Sequence, residues 1–129
     1  MLSEFPIDVS LLATDLDRAK AFYRDQLGLE VVMETADGAT FRCGGDSRLV
    51  VTKSTTGTAD TQTQATWRVD DVAAAVADLE SRGVETDTFG MPGPAEGVAD
   101  VGFALAAWFE DPFKNSLGLI EIKSMPTRP

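Results

Sequence analysis

Asp15-Leu-Asp-Arg-Ala-Lys-Ala-Phe-Tyr-Arg-Asp-Gln-Leu-Gly-Leu-Glu-Val31 is the run on which the fold reading turns. Its apolar residues Leu16, Ala19, Phe22, Tyr23 and Leu27 recur at helical spacing and form one stripe to be buried. Asp15 is placed to cap the first turn through its carboxylate, and Gly28 can adopt the left-handed conformation that ends a helix. The residues after it, Leu29 to Val32, read as the start of a strand.

A weaker copy of this design follows at Asp71-Val-Ala-Ala-Ala-Val-Ala-Asp-Leu-Glu-Ser-Arg-Gly-Val84. Here Val72, Ala75, Val76 and Leu79 make the stripe, Asp71 or Asp70 the cap and Gly83 the stop. Asp15 and Asp71 stand 71 − 15 = 56 positions apart, and the strand-like runs before them, Ile7 to Ala13 and Ala65 to Val69, keep the same offset. The chain reads as two related halves, a single domain of two modules at about 5–53 and 64–123. The small polar run 54–63 joins them.

In the first half, Ile7, Val9, Leu11 and Ala13 alternate onto the face that packs on the helix. Asp8, Ser10 and Leu12 take the other face. Three strands follow the helix, at Glu30–Thr35, Ala39–Cys43 and Arg48–Lys53, with Asp37-Gly38 and Gly44-Gly45-Asp46 as hairpin turns. The second half repeats the order with a strand at Gln64–Val69, the helix from Asp71, and a short strand around Val84–Thr86. The irregular run Phe89-Gly-Met-Pro-Gly-Pro-Ala-Glu-Gly97 comes next. Strands at Val101–Phe109 and Leu117–Ile122, joined by the turn Glu110-Asp-Pro-Phe-Lys-Asn115, complete it. The tail 124–129 is expected to be loose.

Composition bounds the function. Eleven basic against 21 acidic residues leave a net charge of −10, which argues against nucleic acid or an anionic membrane as partner. A cationic small molecule is favoured electrostatically, although an acidic surface also serves plain solubility. No apolar run is long enough to span a membrane, and the first residues lack the basic start and apolar segment of a signal peptide. A cytoplasmic protein is expected. Cys43 is the only cysteine, which excludes an intrachain disulfide, and its apolar context predicts core packing.

Two motifs carry a family resemblance: Asp15-Leu-Asp-Arg-Ala-Lys-Ala-Phe-Tyr…Leu27-Gly-Leu, and Ala107-Trp-Phe-Glu-Asp-Pro-Phe-Lys-Asn-Ser-Leu-Gly-Leu-Ile-Glu121. With the repeated βαβββ order they resemble the vicinal oxygen chelate superfamily of glyoxalase I, bleomycin-resistance proteins, fosfomycin-resistance enzymes and extradiol dioxygenases. Lys114 stands where the family's turn usually has glycine. The resemblance implies an α+β fold of two βαβββ modules in tandem, with curved mixed sheets enclosing a cleft, and a homodimer.

It also implies where metal ligands would lie. The family's first-strand histidine aligns with Asp8 and its second-half counterpart with Gln64. The last-strand glutamate aligns with Gly118, and its first-half counterpart with Leu49 or Val50. A catalytic divalent cation needs about three strong protein ligands, and the chain has no histidine. No cofactor and no divalent metal are therefore expected.

Carboxylates are left as the acid–base candidates. Asp8 is placed to act as a general base or to bind a cationic group, or else is simply hydrogen-bonded at the sheet's end. Ser10 shares its face. Alternation from Gln64 puts Thr66 and Arg68 on the cleft side, where Arg68 would anchor a carboxylate or phosphate or pair with an acidic neighbour such as Asp8. Trp67 is assigned to the core. Trp108, Phe103 and Phe109 share a strand that borders the cavity in the family, and sequence leaves open which of them face it. Met91 and Phe89 are candidates for a covering loop. The leading expectation is a metal-independent binder of a cationic or aromatic small molecule, resembling the bleomycin-resistance proteins of antibiotic resistance, with Asp8, Ser10, Gln64, Thr66, Arg68 and Trp108 as its ligand residues. The alternatives are a divergent lyase, isomerase or dioxygenase using Asp8 as base or weak metal ligand, and an interaction module without a ligand.

Overall fold

The computed structural model describes residues 1–58 and 62–123; the end of the expected linker (59–61) and the tail 124–129 lie outside the described residues. Their contacts divide the chain into two compact units, residues 1–58 with 111–115, and residues 62–110 with 116–123. Among the described residues no helix is long and apolar enough to cross a membrane.

The first unit begins with a short 3-10 turn, Leu2–Glu4, followed by strand β1, Asp8–Ala13. Helix α1, Leu16–Lys20, continues as a π-helix over Ala21–Gln26. Asp15 caps it as the sequence predicts, its Oδ1 accepting the Arg18 N–H at 3.1 Å. Gly28 closes it at φ 75°. The π segment departs from the 3.6-residue period, with Leu27 N–H reaching back to the Phe22 carbonyl at 2.9 Å. The wider turn lets consecutive residues Phe22 and Tyr23 both be buried, at 5% and 0% exposure.

Strands β2 (Glu30–Thr35), β3 (Gly38–Arg42) and β4 (Arg48–Lys53) complete a sheet of order β1-β4-β3-β2. β1 runs parallel to β4, and the other pairs are antiparallel. Leu11, Ala13, Phe41, Leu49 and Val51 are buried against the helix. Ile7 does not join them: it precedes β1 and is 81% exposed. Nor does Cys43, which lies beyond β3 at the hairpin and is only half-buried; its N–H bonds the Ser47 carbonyl to close that turn.

The second unit repeats the plan with β5 (Thr63–Arg68), α2 (Val72–Ser81), β6 (Ala99–Asp100), β7 (Ala104–Glu110) and β8 (Ser116–Ile122), in sheet order β5-β8-β7-β6. Asp71 caps α2 through the Ala74 N–H at 3.1 Å, and Glu121 Oε1 accepts the Val72 N–H at 2.9 Å. Two of the helix's orphan donors are thereby satisfied. Gly83 ends it at φ 83°.

The strand expected at Val84–Thr86 is absent. Asp87 alone bridges to Trp108, because left-handed Phe89 and Gly90 and the prolines at 92 and 94 prevent the ladder from continuing. The long strand expected at Val101–Phe109 is shorter at its start, with Val101–Phe103 forming the connection between β6 and β7. Lys123 Nζ holds both oxygens of Asp100 at 2.7 Å beside that connection.

Candidate functional site

Each sheet packs one face on its helix, and the register fixes which residues share the other, outer face, which is exposed at Asp8, Ser10, Thr66 and Arg68 but buried at Thr40, Ala104 and Ala106. In the second unit Thr66 pairs with Gly118, and Gly118 with Trp108, in a single row across β5, β8 and β7. A Cβ added to Gly118 would meet Thr66 Oγ1 at 3.1 Å, Thr63 Cγ2 at 3.4 Å and Trp108 Cδ1 at 3.4 Å. All these side chains therefore stand on the same side. The opposite parity carries Phe109, Leu117 and Leu119, all buried, and a half-buried Trp67 that stacks on Phe109 at 6.0 Å and 20°.

This settles the aromatic strand. Trp108 faces outward and is half-buried, while Phe109 is core and Phe103 lies outside the strand, 52% exposed. The Phe89 ring, 64% exposed, leans on Trp108 at 5.3 Å between centroids and 52° between planes. Arg68 and Thr66 are both exposed on that face, as alternation predicts.

Gln64 is different. A bulge between Thr63 and Ala65 interrupts the pairing with β8, and the Gln64 Oε1 accepts the Ser116 N–H at 3.0 Å. The side chain replaces a ladder bond that the bulge removes. Alternation counted from Gln64 thus fails at Gln64 itself.

In the first unit the equivalent row is Ser10–Val50–Thr40. Val50, not Leu49, is the counterpart of Gly118, since Leu49 is buried on the helix side at 2% exposure. Asp8 and Ser10 are exposed on the outer face, with Leu12 beyond them. Asp8 is held by Arg48, its own register partner on β4, at 3.0 and 3.3 Å from the two carboxylate oxygens. Arg48 takes the role foreseen for Arg68. Sequence reading missed it because the pairing depends on which strand neighbours β1.

A second missed group is buried. The Tyr23 hydroxyl, on a residue of 0% exposure, donates to Asp111 Oδ2 at 2.7 Å. Asn115 Nδ2 donates to the same oxygen at 2.7 Å and to the Leu12 carbonyl at 2.8 Å. Asp111 Oδ1 accepts the N–H groups of Phe113 and Asn115, each at 2.8 Å. Burial, then the Asp111 charge and the hydrogen bond to it, push the Tyr23 hydroxyl well above the usual tyrosine range. The signal was in the sequence: a tyrosine in a buried stripe requires a partner for its hydroxyl.

A depression of about 400 Å³ in the first unit lies among α1, the β2–β3 turn and the end of β4, with Lys20 and Lys53 on its wall. Lys20 is neutralised there by Asp17 at 3.4 Å and Glu34 at 3.5 Å, so the wall offers an anion little net attraction.

The fold, the doubled βαβββ order and the sequence itself match the model of one family over residues 8–119, the Glyoxalase/Bleomycin resistance protein/Dioxygenase superfamily. The chain belongs to that superfamily. No curated protein matches it. Among solved structures, a glyoxalase family protein from Enterococcus faecalis superimposes with TM-score 0.72 at 21% identity, covering 94% of this chain and 100% of that one. The antibiotic binding protein TnmS3 from Streptomyces sp. CB03234 gives 0.68 at 27% identity, over 90% of this chain and 93% of that one. Lactoylglutathione lyase from Agrobacterium tumefaciens gives 0.62 at 24%, over 89% and 91%. At such identities the first and third show a shared fold.

The metal site that the resemblance implies can be tested against the superfamily positions in this chain. Asp8 is engaged by a guanidinium, Gln64 Oε1 by a backbone amide, Val50 has no donor atom and Gly118 no side chain. Space for a longer residue at Gly118 is already taken by Thr66 and Trp108. Among the described residues no three His, Cys, Asp or Glu side chains converge. These superfamily positions do not by themselves offer the three strong side-chain ligands that a divalent metal takes.

Proposed function

We propose that this superfamily member is a metal-independent small-molecule binding protein, holding an aromatic or cationic ligand on an outer sheet face. The observation that carries the reading is the Thr66–Gly118–Trp108 row. Where the family pattern calls for a metal-binding glutamate, glycine leaves room for the indole of Trp108, whose Cδ1 lies 3.4 Å from where a Cβ would stand and which stays partly open to solvent. An aromatic wall with few polar groups is a binding surface for an apolar ring. Thr66 offers a hydroxyl and Arg68 a two-pronged donor on that face; Asp8 and Ser10 are the exposed polar groups on the outer face of the first unit. Gln64 is the weakest of the expected ligand residues, since its carboxamide oxygen already closes the bulge. The antibiotic-binding relative at 27% identity supports the same reading.

The enzyme reading needs Asp8 as base or ligand, and its salt bridge to Arg48 opposes both roles. The homodimer implied by the resemblance is part of the proposal and is read by size-exclusion chromatography with light scattering. The deciding experiment is a thermal-shift titration of chelator-treated protein, in parallel, with Mn, Fe(II), Co, Ni and Zn ions and with a panel of cationic and aromatic small molecules, repeated on Trp108→Ala and Asp8→Ala. A ligand that binds the folded state raises its melting temperature by mass action. Shifts with organic ligands that Trp108→Ala loses are expected. A saturable metal shift lost in Asp8→Ala would overturn the metal-free reading.

A further inference from the structure

The connection from α2 to β6 contains a residue in a costly conformation. Phe89 sits at φ 53°, in the left-handed region that a bulky L-residue rarely occupies. Burial of the ring is not the compensation, because 64% of the residue stays exposed. What the conformation achieves is aim. Asp87 exchanges both backbone hydrogen bonds with Trp108, at 2.8 and 3.0 Å, and its Oδ1 accepts the Phe89 N–H at 2.8 Å. The loop is thereby pinned to β7 at the tryptophan, and the left-handed turn lays the phenyl ring against the indole at 5.3 Å and 52°. Strain kept at an exposed position, and kept by specific hydrogen bonds, belongs to a binding surface more than to a connector.

We propose that Phe89 and Trp108 form a two-ring corner that receives the planar aromatic ring of a ligand, with Phe89 as the specificity-determining half. The inference rests on the reading of the outer face as a ligand face and names its ligand class. A flat ring laid on one wall meets the other obliquely, within the range of centroid spacings at which aromatic pairs attract. Gly118, with no side chain of its own, leaves the indole and Thr66 room to stand side by side. A non-planar ligand of equal apolar area would fill this corner poorly, so the geometry selects shape beyond hydrophobicity.

The test uses proflavine, a flat cation, and anthracene-2-sulfonate, a flat anion, titrated by fluorescence anisotropy into the parent protein, Phe89→Gly, Phe89→Leu and Trp108→Ala. Glycine adopts φ 53° without strain, so Phe89→Gly is expected to keep its melting temperature within about 4 °C of the parent. Both Phe89 variants are expected to weaken both dyes about three- to ten-fold, the range that one aromatic pair supplies. Trp108→Ala is expected to weaken them at least as much. Parent-like affinity in Phe89→Gly together with loss in Trp108→Ala would overturn the corner while leaving the binding face in place. Absence of dye binding to the parent, or parent-like binding by Trp108→Ala, would overturn both.

Discussion

Lys114 and Phe89 are the two non-glycine residues with positive φ among those described, at 66° and 53°, and they differ in what the strain serves. Lys114 occupies the turn position where the family usually has glycine, and φ 66° is the physical reason for that glycine. Lys114→Gly is therefore expected to stabilise the protein by about 0.5–1 kcal/mol in urea unfolding, the usual cost of left-handed backbone less the chain entropy glycine adds, with ligand affinity unchanged. Gly118→Ala is expected to act oppositely. Its Cβ would stand 3.1 Å from Thr66 Oγ1 and 3.4 Å from Trp108 Cδ1, so the Thr66 hydroxyl on the ligand face must give way by a few tenths of an ångström while the indole stays at contact distance. Ligand affinity should fall by more than the small loss in melting temperature explains, as read by the two measurements side by side.

At the scale of the elements, the two helices began from the same sequence signature and ended differently. Both are capped by the predicted aspartate and stopped by the predicted glycine, because a cap needs only a few neighbouring residues. α2 then runs as an ordinary helix from Val72 to Ser81, whereas the first passes into a π segment after Lys20. The spacing of Phe22 and Tyr23 marks both as apolar, but only the packed core requires both to be inside. Asp71→Ala is expected to cost about 1 kcal/mol of stability, the ordinary value of an N-cap. Glu121 still satisfies the Val72 N–H in that variant, so the loss should stay near this figure in denaturant titration.

For the molecule as a whole, the turn 111–115 packs with the first unit although the strands on either side belong to the second. Tyr23, Asp111 and Asn115 are the groups that hold it. Tyr23→Phe removes one donor from a buried carboxylate and is expected to cost about 2 kcal/mol, the value of a hydrogen bond to a charged group. Burial of the hydroxyl, with the Asp111 charge and the bond to it, also sets a pH dependence. The Tyr23 hydroxyl is raised above its ordinary value in the folded state, so folding retains a proton that the unfolded chain releases above about pH 10. Its contribution is fully present below that pH and is lost as pH rises beyond it. Tyr23→Phe should flatten the alkaline limb of a stability profile; an unchanged limb would assign the loss to other groups. The net charge of −10 adds a general expectation, that melting temperature rises when salt screens self-repulsion between about 0.01 and 0.15 M.

Sequence by itself determined the repeated βαβββ order, the superfamily, both caps and both glycine stops, because these follow from local chemistry and from periodicity within a single element. It also marked Asp8, Thr66 and Trp108 as residues to watch. Only the tertiary structure decided which face Trp108 takes, that Val50 and not Leu49 answers to Gly118, that Arg48 holds Asp8, and that Gln64 closes a bulge. Each of these depends on register between strands far apart in the chain. A bulge of one residue is enough to break alternation, and no feature of a single strand announces it.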